Sequence, residues 1–184
     1  MKISALLAGV GVATLMVSGA QAADLLLPAQ PVAPVVDTSI FSFDGFYAGV
    51  TGGGAWVSGG GSAGSIGVVA GANFTVADPI LLGIEGQFDG LIYNGGLNGY
   101  DALILGKIGV LASPQVLVYA SLGGGWVHDN AGGGTTVGTW AYGGGVEVAV
   151  TDNMSIRGEV LGLHMPDAVN QNAAKATIGV LFHF

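Results

Sequence analysis

The stretch Ala174-Lys175-Ala176-Thr177-Ile178-Gly179-Val180-Leu181-Phe182-His183-Phe184 decides the fold. Ala174, Ala176, Ile178, Val180, Phe182 and Phe184 occupy every second position, with Lys175, Thr177 and His183 between them. Successive side chains of a β-strand point to opposite faces, so this order sets an apolar face against a polar one. The same period recurs upstream. Ile66, Val68, Ala70, Ala72, Phe74 and Val76 oppose Gly67, Gly71, Asn73 and Thr75, with Val69 as the exception. Ile80, Leu82, Ile84 and Phe88 oppose Glu85, Gln87 and Asp89. Trp140, Tyr142, Val146, Val148 and Val150 oppose Thr139, Gly143, Gly145 and Glu147.

Extending the pattern gives eight strand segments, at 45–56, 66–76, 80–91, 100–111, 116–127, 137–150, 154–164 and 174–184. Strands of soluble proteins run about 5–6 residues, whereas a tilted strand that crosses a bilayer needs about 9–11. These segments have the longer form, and their number is even, as in bacterial membrane barrels. Connections alternate in length. Ala77-Asp78-Pro79, 112–115 and 151–153 are tight turns, while 57–65, 92–99, 128–136 and 165–173 read as longer loops. All six prolines avoid the segment interiors, as a closed sheet requires, because proline cannot donate to a strand ladder.

Charge decides which face is inside. A barrel in water is apolar within, and a barrel in lipid is apolar without. Lys107, Arg157 and Lys175 and the glutamates Glu85, Glu147 and Glu159 all fall on the face opposite the main apolar stripe, as does Asp89. A Lys or Arg facing lipid at the bilayer midplane costs about 2–4 kcal/mol. These seven residues are therefore expected to form an interior network. Its expected pairs are Lys107 with Glu85 and Arg157 with Glu147, while Glu159 and Lys175 lie on neighbouring strands at less closely matched heights. Leu103, Leu105, Leu161 and Leu163 share the inward phase, so either they fill the lumen or a bulge shifts the register. Small inward residues such as Gly143 and Gly145 leave room for the charged ones. Phe46, Phe74, Phe182 and Phe184 lie toward the turn side, and Trp56, Tyr100, Trp126 and Trp140 toward the loop side, as two aromatic girdles would.

The start of the chain reads differently. Lys2 precedes an uncharged, largely apolar run over residues 3–17, and Ala20-Gln21-Ala22 forms an A-x-A site with cleavage before Ala23. Fifteen residues fall short of the roughly 20 that a spanning helix needs. The expected organisation is a signal peptide at 1–22, a periplasmic linker at 23–43 spaced by Pro28, Pro31 and Pro34, and a barrel at 44–184. Only 9% of the 184 residues are charged and 51% are hydrophobic. Beyond Lys2, three cations face twelve acids, a net of −9. Nucleic-acid binding is disfavoured, since phosphate affinity rests on Lys and Arg. The absence of cysteine excludes disulfides and thiolate metal or redox chemistry. The 35 glycines include no G-x-x-x-x-G-K-[ST] motif, and H-E-x-x-H is absent too. No cofactor, metal site or enzymatic activity is expected. Ser121 and His128 are seven residues apart and would face opposite sides of one strand.

The alternation of Ile178, Val180, Phe182 and the terminal Phe184 is similar to the C-terminal assembly signal of outer-membrane barrels. More widely, the chain resembles the small OmpA-type barrels, in particular their alphaproteobacterial surface-antigen branch. The matching pieces are the leader ending Ala22-Ala23-Asp24, the proline linker and Asp44-Gly45-Phe46-Tyr47-Ala48-Gly49. They continue with Gly83-Ile84-Glu85-Gly86, Lys107-Ile108-Gly109, Tyr119 with its following glycines, and Gly143-Gly144-Gly145-Val146-Glu147. The departures are short outer loops and few aromatics and arginines in the fourth and seventh segments.

The resemblance implies an all-β, eight-stranded antiparallel up-and-down transmembrane barrel in a Gram-negative outer membrane. Its implied partners are outer-membrane lipid and lipopolysaccharide, the barrel-insertion machinery and periplasmic chaperones, and its expected state is a monomer. The expected role is structural, as a surface antigen supporting envelope integrity. One alternative is a narrow cation-preferring porin, given the acid excess of the lumen. Another is binding of haem or a host protein by the outer loops, where His128, His164, Asp129 and Asp167 are candidates.

Overall fold

The computed structural model describes residues 41–59, 61–130, 134–166 and 171–184. The expected signal peptide with Ala20, Ala22 and Ala23, the linker up to residue 40, and Asp167 lie outside the described residues. Eight strands follow one another: β1 (Gly45–Val57), β2 (Gly61–Ala77), β3 (Ile80–Tyr93), β4 (Gly96–Ser113), β5 (Val116–Asp129), β6 (Thr135–Ala149), β7 (Met154–Met165) and β8 (Gln171–His183). Each pairs antiparallel with the next, and β8 returns to β1, closing an up-and-down barrel. No helix occurs among the described residues.

Register fixes the shape. Following paired residues from Tyr47 through Gly71, Glu85, Leu105, Gly123, Ala141, Leu163 and Ala173 returns to β1 at Val57, ten positions from the start (57 minus 47). With about 3.3 Å per residue and about 4.8 Å between strands, that stagger tilts the eight strands by about 40°. Such a barrel is just wide enough for side chains to fill it.

The polarity is inverted relative to a soluble protein. Ile178 is 69% exposed and its neighbours in the same strand, Lys175 and Thr177, are 1% and 8% exposed. Around the whole barrel the large outward side chains are apolar, including Val50, Val68, Ile84, Ile104, Leu122 and Val160. Phe46, Phe74, Phe182 and Phe184 ring the turn end of the outer wall, and Trp56, Trp126 and Trp140 the loop end.

Two expectations about local structure resolve. The leucines at 103, 105, 161 and 163 are buried together in the lumen with Ala141. The register shifts lie at Thr75/Ala77 on β2, at Leu91/Ile92 in the β3–β4 pairing and at Leu111/Ser113 on β4, so no bulge turns these leucines outward. The expected long loops are corrected: most of 57–65 and 92–99 is strand, and strand also takes in residues 128–129, 135–136, 165 and 171–173. Gly61-Ser62-Ala63-Gly64-Ser65 carries no contrast between apolar and polar positions, so its period is silent. Its backbone still pairs, with Gly61 opposite Val57, because ladder hydrogen bonds need no side chain. At the β3–β4 connection Asn94 and Gly95 have φ of 51° and 81°. This is the two-residue hairpin that Asn-Gly favours, both positions requiring positive φ.

Candidate functional site

The lumen gathers the chemistry of the chain, and strand alternation places it there. On β3 the inward positions are Leu81, Glu85, Gln87, Asp89 and Leu91; on β7 they are Ser155, Arg157, Glu159, Leu161 and Leu163. The contents stack in tiers from the turn end to the loop end.

The turn end is stoppered by the residues just before β1. Phe43 is buried against Leu81, Leu117 and Tyr119, with Phe41 beside it. Both rings pack edge-on against His183, which stacks on Tyr47. Two polar contacts pin this segment. The Asn73 amide donates to the Phe43 carbonyl at 3.1 Å, and the Thr75 amide donates to the Asp44 carboxylate at 2.6 Å. Hydrogen bonds from Thr75, its side chain first and its backbone second, hold the Asp44 carboxyl below the ordinary carboxylate range.

Glu85 is the hub of the central tier. It accepts from Lys107 Nζ at 3.1 Å, from Tyr47 Oη at 2.6 Å, from Gln87 at 2.8 Å and from Arg157 Nη1. Both cations are therefore centred on one carboxylate whose side chain is fully enclosed. Gln87 also donates to Glu159 at 2.6 Å, and Tyr119 Oη donates to Glu159 at 2.8 Å. Lys107 Nζ lies 4.0 Å from the centre of the Tyr119 ring, within the range of a cation–π contact. Beside this hub, Glu147 accepts from Ser155 at 2.7 Å and lies 2.8 Å from His183 Nε2. Nearer the loop end, Lys175 donates to Asp89 at 2.9 Å and to Asp101 at 2.8 Å, and Thr51 donates to Asp89 at 3.1 Å.

The seven residues expected inside are thus all buried in the lumen, but one of the two expected pairs is replaced. Lys107 does meet Glu85. Arg157 and Glu147 sit opposite one another on β6 and β7, yet Arg157 reaches across the lumen to Glu85 and Glu147 turns to His183 and Ser155. Arg157 Nη2 and Glu147 Oε2 have no hydrogen-bond partner among the described residues. Glu159 faces Thr177, one inward step from Lys175, which spans instead to the aspartates of β3 and β4. Adjacency on the wall is a poor guide in a narrow barrel, because long side chains meet partners across the diameter. Asp101, Tyr47, Tyr119, Gln87, Ser155 and His183 were not anticipated as partners. Asp101 carries a usable signal: it is six residues from Lys107 on one strand, and so on the same face.

The loop-side candidates are not brought together. His128 lies 2.7 Å from Thr136 Oγ1 and stacks on Tyr100, while His164 lies 2.8 Å from Asn172 Oδ1. They sit on β5 and β7, with β6 between. Asp129 accepts from Tyr93 Oη. Ser121 is buried in the lumen and His128 is half-buried near the loop end, stacked on Tyr100, so the two do not meet. Phe184 ends the chain beside β1, its amide donating to the Phe46 carbonyl at 2.9 Å.

No family model and no curated protein matches the sequence. Solved structures do match. The fold is similar to Ail, the attachment invasion locus protein of Yersinia pestis, with a TM-score of 0.59 and 11% identity over 77% of this chain and 99% of that one. Ail is also solved as an outer membrane protein in a phospholipid bilayer nanodisc. Neisserial surface protein A matches with a TM-score of 0.55 and 18% identity, over 77% of this chain and 98% of that one. The N-terminal β-barrel domain of Pseudomonas aeruginosa OprF matches with a TM-score of 0.53 and 15% identity, over 77% and 98%. At these identities the likeness concerns the fold.

Proposed function

We propose that this protein is a structural barrel of the Gram-negative outer membrane, a surface antigen that supports envelope integrity and keeps its lumen closed. The inversion of polarity carries this reading: Lys107, Arg157, Lys175 and the three glutamates are buried inside, while large apolar side chains cover the outside. In water such a wall is an aggregation hazard. In hydrocarbon it is matched, and a closed sheet leaves no strand edge unpaired. Fold likeness to Ail, described as an outer membrane protein, supports the location. In this reading Ile178, Val180, Phe182 and Phe184 address the chain to the barrel-insertion machinery after passage with periplasmic chaperones, and cleavage between Ala22 and Ala23 precedes it. The mature monomer meets lipid and lipopolysaccharide along its apolar wall, and it performs no chemical step.

Deleting the gene and measuring uptake of a bulky apolar dye tests the role. Increased uptake, restored by supplying the protein, is expected. Uptake equal to wild type, or recovery of the protein in the inner membrane on fractionation, would overturn the proposal. A second reading, a narrow cation-preferring pore, is favoured by one observation. The buried lumen holds Glu85, Asp89, Asp101, Glu147 and Glu159 against three permanent cations, and acid-lined passages prefer cations.

A further inference from the structure

At the loop end the barrel opens into a cavity of about 400 Å³. Its wall is largely apolar, built from side chains that include Leu91, Val127, Val137, Leu163 and Met165. Those residues come from β3, β5, β6 and β7, so the apolar lining runs around much of the mouth.

Asp101 also lines this cavity. It stands directly opposite Asp89 on the neighbouring strand, and both are 1% exposed. Like charges directly across a strand pair repel. One ammonium, that of Lys175, is shared between the two acidic side chains, so two acids stand against a single cation. The other cations of the barrel, Lys107 and Arg157, are engaged on Glu85 in the tier below. At the rim, Tyr93 donates to Asp129, so a further acid stands at the entrance.

We infer that this mouth is a binding site for a small amphiphilic monocation, an alkyl- or arylalkylammonium ion. Its apolar body would lie against Leu91, Val137 and Leu163, and its ammonium group would approach Asp101 as the second counterion of the Asp89–Asp101 pair. Concave apolar sites with a few placed polar groups are the usual form of small-molecule sites. The charge at the base of this one selects against anions and gives a neutral analogue only the apolar contacts. The inference does not depend on whether the lumen below conducts.

The test uses the refolded protein in nanodiscs of zwitterionic lipid, with empty nanodiscs as the blank for partitioning. Methyl NMR shifts of the mouth residues are followed while n-octylammonium, n-octanol and n-octanoate are added in turn. Saturable binding of n-octylammonium, at least about tenfold tighter than that of either analogue, is expected. Asp101→Asn should abolish that preference while keeping the fold, since it relieves the repulsion with Asp89. Val137→Trp, which fills the cavity, should abolish binding of the ammonium in a barrel whose charges are intact. Equal binding of the three probes, an absence of saturation, or unchanged n-octylammonium binding in a folded variant of either kind would overturn the inference.

Discussion

Glu85 shows what a single residue does in this lumen. It sits on an inward position of β3 and compensates two cations, one from β4 and one from β7. Removing one partner of a buried ion pair leaves an uncompensated charge and costs about 3–5 kcal/mol. Glu85→Gln is therefore expected to lower unfolding stability in lipid vesicles by about that amount. Glu147→Gln is the contrast, because its hydrogen-bonding neighbours are Ser155 and His183. An amide retains hydrogen-bonding capacity, so a loss of about 1 kcal/mol is expected. Equal losses in urea titrations of the two variants would contradict the hub assignment. At this scale the sequence showed which residues go inside, since alternation decides that. It did not show who meets whom. The partners of Arg157 and Lys175 lie across the barrel, and the stagger that sets them facing one another is a property of the closed sheet.

Strands are where the sequence was most legible. The tight turns at Asp78-Pro79 and Pro114-Gln115 lie where prolines punctuate the apolar period. The outer ends of the strands were hidden, because glycine and serine carry no facial contrast while their backbones pair without it. Glycine has a positive role inside the wall as well. A Cβ on Gly123 would strike the Ile104 carbonyl oxygen and come within 2.9 Å of Leu105 Cα on the adjacent strand. On exposed Gly106 the nearest such atom is the Leu122 carbonyl oxygen at 3.6 Å, an ordinary contact. Overpacking costs about 1–3 kcal/mol. Gly123→Ala should show that loss, with β4 and β5 forced apart, and Gly106→Ala should stay within about 0.5 kcal/mol of wild type. The reverse ranking in denaturant titrations would mean that the β4–β5 register is wrong.

For the whole molecule, closure depends on three tiers acting along one axis. Phe41 and Phe43 fill the turn end, the Glu85 cluster with Glu147 and Glu159 occupies the centre, and the Lys175 pairs stand above beside the inward leucines. The barrel itself was readable from strand number, length and polarity. The stopper was not, because Phe41 and Phe43 precede the first periodic strand and belong in sequence to the linker. Single-channel recording of the refolded protein in a planar bilayer, with heat-shifted gel mobility showing that it has folded, tests this closed lumen most directly. The account predicts a folded barrel that inserts and stays electrically silent. Reproducible cation-selective current steps from the folded protein would contradict it, and would mean that the paired charges line a path rather than block one.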